Sequence, residues 1–208
     1  MSLFNLAVLI SGSGTNLQAV IDAVSDGRLP NTKIALVVSS RSGAYGIERA
    51  KKHGIANIVV DRSNVDKLPE ILRFHNIKGI ILAGYLTILP PDVVSAYEGK
   101  IINIHPALLP KFGGKGFYGI KVHQAVIESG DKQSGATAHI VDCGIDTGPT
   151  LVQGILSVQN KDTAESLQKK VLEVEHIVLV EAIRALVKGE IDILINNPKT
   201  IRMDKGDL

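Results

Sequence analysis

Tryptophan is absent from this 208-residue chain, and aromatic residues make up only 4% of it. The core must then be aliphatic, and Val/Ile strands with Leu/Ala helices fit an α/β fold. The single cysteine, Cys143, excludes an internal disulfide and suits a reducing cytoplasm. Neither sign of charge is in marked excess: the formal net charge of +2 gives no electrostatic case for a nucleic-acid partner or a membrane surface. No apolar run approaches the roughly 20 residues that span a bilayer. The N-terminal run Leu6 to Ile10 is short and enters a glycine loop at once, which makes it a strand and not a signal peptide. Internal repeats, low-complexity tracts and Pro/Ser-rich linkers are also missing, and Pro90-Pro91 is a local stop. One domain is expected.

What is present alternates. The strand Leu6 to Ile10 leads into Ser11-Gly12-Ser13-Gly14-Thr15-Asn16 and a helical pattern from Leu17 to Val24. Strand, glycine loop and helix in that order make an anion site, because the backbone approaches closely and free N–H groups face the ligand. Thr15 or Asn16 can cap that helix. The dinucleotide fingerprint wants glycine where Leu17 stands and an acid after the second strand, Lys33 to Val38, where Ser39-Ser40-Arg41 stands. The Walker Gly-Lys-Ser/Thr is absent, so a phosphomonoester fits better than NAD or ATP. On this segment alone, a plain strand-to-helix turn stays open. Helices are expected over Gly43 to His53, Val65 to His75 and Pro91 to Tyr97. Strands are expected over Ile55 to Val60 and Ile77 to Ala83, the latter buried on both faces. Leu86, Thr87, Ile88 and Leu89 follow that strand and could wall a flat apolar pocket; Ile88 and Leu89, taken singly, read as core.

The stretch KIINIHPALLP, Lys100 to Pro110, carries the chemistry. A buried strand stops at Pro106, and Asn103 and His105, two apart, share one face. The carboxyl end of such a strand is where ligands sit in open α/β sheets. Alone, each residue reads as an end cap or a core histidine; as a pair beside Pro106 they read as functional. Phe112 to Gly116 reads as a mobile glycine-rich loop, and Gly119 to Ser129 as a helix. Gly135 to Val141 alternates as a half-buried strand, and Thr150 to Val158 pairs with it antiparallel. Between them lies a loop with two carboxylates, Asp142 and Asp146. A last helix starts at Asp162, with Asp162 and Glu165 as a capping box. It buries Leu167, Val171, Val174 and Val178, sets Glu175 beside that stripe and ends at Gly189. Residues 192–208 show no readable pattern. The fold class is a Rossmann-like, mostly parallel sheet with helices on both faces and an antiparallel C-terminal excursion. An amide and an imidazole can stabilise an oxyanion, and a loop carboxylate can orient the imidazole and favour its charged form. Cys143 has no activating neighbour, so direct attack on a carbonyl is expected, without a covalent enzyme intermediate. No residue set calls for a metal.

The set VLISGSGTNLQAVID, ILAGYLTILPP, NIHPALLPKF, GATAHIVD, DTGP and VEHIVLV resembles the phosphoribosylglycinamide formyltransferase family, folate-dependent enzymes of purine synthesis. The similarity runs in unbroken order from about Ala7 to Glu190. The resemblance implies that Asn103, His105 and Asp146 are catalytic. It implies that Gly14, Thr15, Asn16 and Glu175 hold 5'-phosphoribosylglycinamide. Leu86, Thr87, Ile88 and Leu89, Asn103, and the loop Asp142, Cys143, Gly144, Ile145 and Asp146 would border a reduced folate, 10-formyltetrahydrofolate. His139 would lie next to the active site. In these terms residues 1–100 form the phosphate-binding half of one domain, 101–190 the catalytic and folate-binding half, and 191–208 a tail. A monomer or homodimer without nucleic-acid or membrane partners follows. Thr87 stands where many relatives have arginine, and Phe112 to Lys121 is longer than in familiar members. Asp146 is expected to hold His105 charged and to help move a proton from the amine to N10. A tRNA-directed formyltransferase would need a further basic domain. A formyltetrahydrofolate hydrolase usually carries an extra N-terminal one. An NAD(P) dehydrogenase could use Arg41 on a 2′-phosphate but lacks the acid. A phosphate-binding module without activity would not need Asn103, His105 and Asp146.

Overall fold

The computed structural model describes residues 3–203. Its strands are β1 (Phe4–Ile10), β2 (Thr32–Ser39), β3 (Asn57–Val59), β4 (Gly79–Leu82), β5 (Ile101–His105), β6 (Gln133–Ile140), β7 (Thr150–Ser157) and β8 (Lys199–Arg202). They form one sheet in the order β3-β2-β1-β4-β5-β6-β7-β8. The first five pair in parallel, β6 is antiparallel to both β5 and β7, and β8 returns parallel to β7. The chain leaves β1 toward β2 and β3, then resumes on the other side with β4. The carboxyl ends of β1, β4 and β5 therefore adjoin at the point where strand order reverses, the usual ligand crevice of such sheets.

Strand period decides which side chain meets which helix layer. In β1, Leu6, Val8 and Ile10 join one core cluster, while Ala7 and Leu9 join the other. The first cluster includes α1 (Thr15–Ser25), α2 (Tyr45–Lys52) and α6 (Ala164–Lys188), with Val126 of α5 (Ile120–Ser129). The second includes α3 (Leu68–Phe74) and α4 (Pro91–Ala96). The α6 stripe of Leu167, Val171, Val174 and Val178 is fully buried, each side chain contributing on the order of 2 kcal/mol as an upper estimate. Gly154 of β7 lets the helix approach, since a Cβ there would meet Val174 Cγ1 at 2.2 Å. No helix among the described residues is long and apolar enough to cross a membrane.

Four expectations are corrected. The capping box of α6 is Thr163 with Ser166, whose side chains and backbone N–H groups bond reciprocally. Asp162 instead accepts from Ser166 Oγ and Lys170 Nζ, because the helix starts at Ala164. The helix expected over Val65 to His75 opens as a 3-10 turn, Val65–Lys67; Pro69 lacks an N–H and belongs in the first turn of the α-helix that follows. The strand β6 is buried on both faces from Ser134 to Ile140, being interior to the sheet and covered by α6. The tail read as patternless holds α7 (Ile191–Asn196) and β8; residues 204–208 lie outside the described residues. Glycine ends α6 as expected, with Gly189 at φ 74°.

Candidate active site

Asn103 and His105 lie on one face of β5, on the side of Ile101 and the second core cluster. Asp146 reaches them from the loop after β6, at a left-handed φ of 58°. Such a conformation in a non-glycine residue costs about 1–3 kcal/mol and persists where surroundings hold it. Here they do. Asp146 Oδ1 accepts from Asn103 Nδ2 at 3.2 Å, and Oδ2 accepts from the Gly114 N–H at 3.0 Å. His105 Nδ1 stands 3.5 Å from Oδ2, and His139 Nε2 3.5 Å from Oδ1. A carboxylate only accepts, so it fixes the Asn103 amide with nitrogen toward Asp146. That nitrogen also meets His139 Nε2 at 3.1 Å, which makes Nε2 an acceptor; His139 Nδ1–H donates to the Ile140 carbonyl at 2.8 Å. Both N–H groups of Asn103 are thus engaged.

His105 Nε2 lies 2.8 Å from the Phe112 carbonyl, which can only accept, so this nitrogen carries a proton. Its two acceptors, Phe112 O and Asp146, both favour the imidazolium. Burial opposes them and wins, so the imidazole titrates below its ordinary value. The expectation that Asp146 holds His105 charged is therefore corrected for the free site: a buried ring loses more hydration than the carboxylate returns. Burial alone would raise Asp146; His139 and His105 in their protonated forms, with the Gly114 N–H, outweigh it and leave it below the usual carboxylate range.

The glycine loop after β1 lies at the same rim. Gly14 takes the cap of α1 at φ 71°, so neither Thr15 nor Asn16 caps it. A Cβ on Gly14 would lie 2.7 Å from Gly46 Cα, which explains glycine there. Among the described residues, nothing accepts a hydrogen bond from the N–H groups of Ser13, Gly14, Thr15 or Asn16. Asn16 turns inward instead and donates to Glu175 Oε2 at 2.6 Å. Glu175 is 9% exposed on α6, and burial pushes its carboxyl up to about 7, with Asn16 offsetting only part. The loop is tied to the end of β4 by Ser11, whose Oγ accepts from Leu86 N at 2.8 Å and lies 2.6 Å from Ser40 Oγ. Among the described residues no hydrogen bond joins the Asn16–Glu175 pair to Asn103, His105 or Asp146.

Around this rim Leu86 is 45% exposed and Ile88 79%, so Ile88 is not core; Leu89, at 7%, is. Thr87 is half-buried. Asp142, Cys143, Gly144 and Ile145 are exposed, and Asp142 Oδ1 closes its own loop by accepting from Gly144 N and Thr147 Oγ1. No group of three or more His, Cys, Asp or Glu among the described residues could hold a metal.

A family model described as formyl transferase matches residues 4–183. The chain belongs to the formyl transferase family. It is 41% identical over 194 residues to the chloroplastic phosphoribosylglycinamide formyltransferase of Arabidopsis thaliana, covering 89% of this chain and 66%, just under two thirds, of that protein. It is 36% identical over 198 residues to phosphoribosylglycinamide formyltransferase of Haemophilus influenzae, covering 92% and 91% of the two chains. The crystal structure of glycinamide ribonucleotide transformylase 1 from Symbiobacterium toebii superposes with a TM-score of 0.83 at 37% identity, covering 90% and 89%. The resemblance seen in the motifs and the α/β architecture are both borne out in this family member.

Three features of the site carried no readable signal in the chain. The Gly114 N–H and Phe112 carbonyl are backbone groups, which residue type does not mark. His123, buried at 1% on α5 between Val122 and Val126, was hidden by its apolar setting; burial first, then His105, holds its imidazole at about 4.

Proposed function

We infer that this chain transfers the formyl group of 10-formyltetrahydrofolate to the amine of 5'-phosphoribosylglycinamide, a step of purine synthesis. The observation that carries this reading is Asp146 bonded to Asn103 and set against His105, on the rim that also bears an unpartnered row of loop N–H groups. Gly14, Thr15 and Asn16 bind the substrate phosphate through those N–H groups and the N-terminal dipole of α1. Glu175 contacts the ribonucleotide beside them. Leu86, Thr87, Ile88 and Leu89, with the Asp142 to Asp146 loop, border the folate, and the exposure of Leu86 and Ile88 supports this. Two small molecules held together here meet in an effectively unimolecular encounter.

The amine nitrogen attacks the formyl carbon, forming a new C–N bond and placing charge on the formyl oxygen. That oxygen takes over an N–H of Asn103 from its present acceptor, with the Nε2–H of His105, released from the Phe112 carbonyl, as the second donor. Asp146, ionised because its neighbours lower it, accepts the proton released by the amine, through water, and the proton passes to N10 as the C–N10 bond breaks. In the free site the Phe112 carbonyl holds the Nε2–H of His105, and the carboxylate, 3.5 Å from Nδ1, stabilises the imidazolium when a proton arrives during reaction. The test is one assay: purified protein, glycinamide ribonucleotide and 10-formyltetrahydrofolate, followed by the absorbance of the released cofactor. Transfer that needs both substrates supports the reading. Hydrolysis of the folate at the same rate with or without the amine, or saturable NADPH binding with no folate binding, would sink it.

A further inference from the structure

Three consecutive carbonyls of the loop after β1 are turned away from its N–H face, and each has its own donor. Gly12 O accepts from Gly46 N at 3.1 Å, Ser13 O from Arg49 Nε at 2.9 Å, and Gly14 O from Gln18 N at 2.9 Å. Two of these donors come from α2, a different element. Gly46 is held where it is by space, since a Cβ would lie 2.3 Å from Ile10 Cδ1 and 3.3 Å from Gly14 Cα. Arg49 is held by more than Ser13: its Nη1 donates to Gln18 Oε1 at 3.1 Å, and its guanidinium lies 5.2 Å from the Tyr45 ring centroid. Gln18 in turn is fixed by Nε2 donating to Asp22 Oδ1 at 2.9 Å.

A peptide carbonyl turned toward a phosphate would repel it, while the N–H on the other side of the same plane attracts it. The orientation of these peptide planes therefore sets the affinity of the loop for an anion. We propose that Arg49 is a positioning residue for anion recognition: its fork bridges the Ser13 carbonyl and Gln18, and so keeps the loop N–H groups facing the substrate's phosphate. This rests on the phosphate role given to the loop above. A lysine keeps the charge but cannot hold two acceptors in one plane.

The experiment compares wild type, Arg49→Ala, Arg49→Lys and Gln18→Ala in steady-state assays, with folding checked by circular dichroism. In Arg49→Ala the KM for the ribonucleotide rises by about tenfold or more, the scale of losing charge-assisted hydrogen bonds. The kcat and the KM for folate stay within about twofold, a split that general loss of structure does not produce. Arg49→Lys fails to rescue, and Gln18→Ala gives a smaller rise of the same kind. With the phosphate-free riboside as substrate, wild type and Arg49→Ala have equal kcat/KM, and inorganic phosphate competes with the ribonucleotide less well in Arg49→Ala. An unchanged ribonucleotide KM in folded Arg49→Ala overturns the proposal, as does full rescue by lysine, which would make charge and not the fork the cause. If wild type itself transfers no formyl group, the functional reading fails instead.

Discussion

Two carboxyl groups, Glu175 buried and Asp146 partly buried, stand at one sheet rim, and their chemistry diverges. Asp146 accepts from a backbone N–H and a carboxamide, lies against two imidazoles that favour its anion when they are protonated, and is held below the ordinary range. Glu175 is met by one neutral amide and is pushed up to about 7. Burial raises both; only the donors differ. Divergent environments of this kind separate a permanently ionised group from one that can take or release a proton near neutrality. Asp146 is suited to accept a proton at any physiological pH, and Glu175 to change charge as its surroundings change.

The most severe way to break the comparison is Asp146→Asn. It keeps the size and removes the charge beside His105, and the expected fall in kcat is about a thousandfold with KM within a few-fold, read from steady-state rates. A loss confined to KM would remove Asp146 from the chemistry. Next is Glu175→Gln, which keeps an acceptor for Asn16 and abolishes the titration. A carboxyl raised from 4.5 to about 7 contributes stability that is present below the unfolded value and lost as pH rises through the folded one. Between pH 4 and 8 the wild type therefore loses roughly 3 kcal/mol relative to Glu175→Gln in denaturant unfolding of the unliganded protein. Taking the difference between the two proteins cancels His123 and His105, whose lowered values act in the opposite direction. Parallel pH curves would mean that Glu175 is ionised throughout.

Smaller effects separate the elements that carry the two groups. Gly154→Val pushes on Val174 and Val178 of α6, the helix that bears Glu175, while Asn103 and His105 ride on β5. Stability should fall by about 1–3 kcal/mol, with the ribonucleotide KM disturbed more than kcat. Thr163→Ala removes the cap at the far end of that helix, costing about 1 kcal/mol with neither kinetic constant changed, as thermal unfolding beside an activity assay would show.

Much of this was legible along the chain because strand and helix periods are local. Apolar runs in β1 and β4, and in β5 apart from Asn103 and His105, marked buried parallel strands, and the residues following each run had to gather at one rim. The edge strand β8 escaped because it is short and largely exposed, leaving no burial pattern to read. The capping box slipped by one residue because Thr163 and Asp162 are both good caps, and only the path of the chain into α6 chose between them. Charge states were not legible at all. The chain by itself determined the alternating elements, the glycine turn and the presence of Asn103, His105, Asp146 and Glu175. Tertiary structure decided which carboxyl is ionised and which proton His139 carries, because desolvation and donor geometry belong to the space around a group and not to its neighbours in sequence.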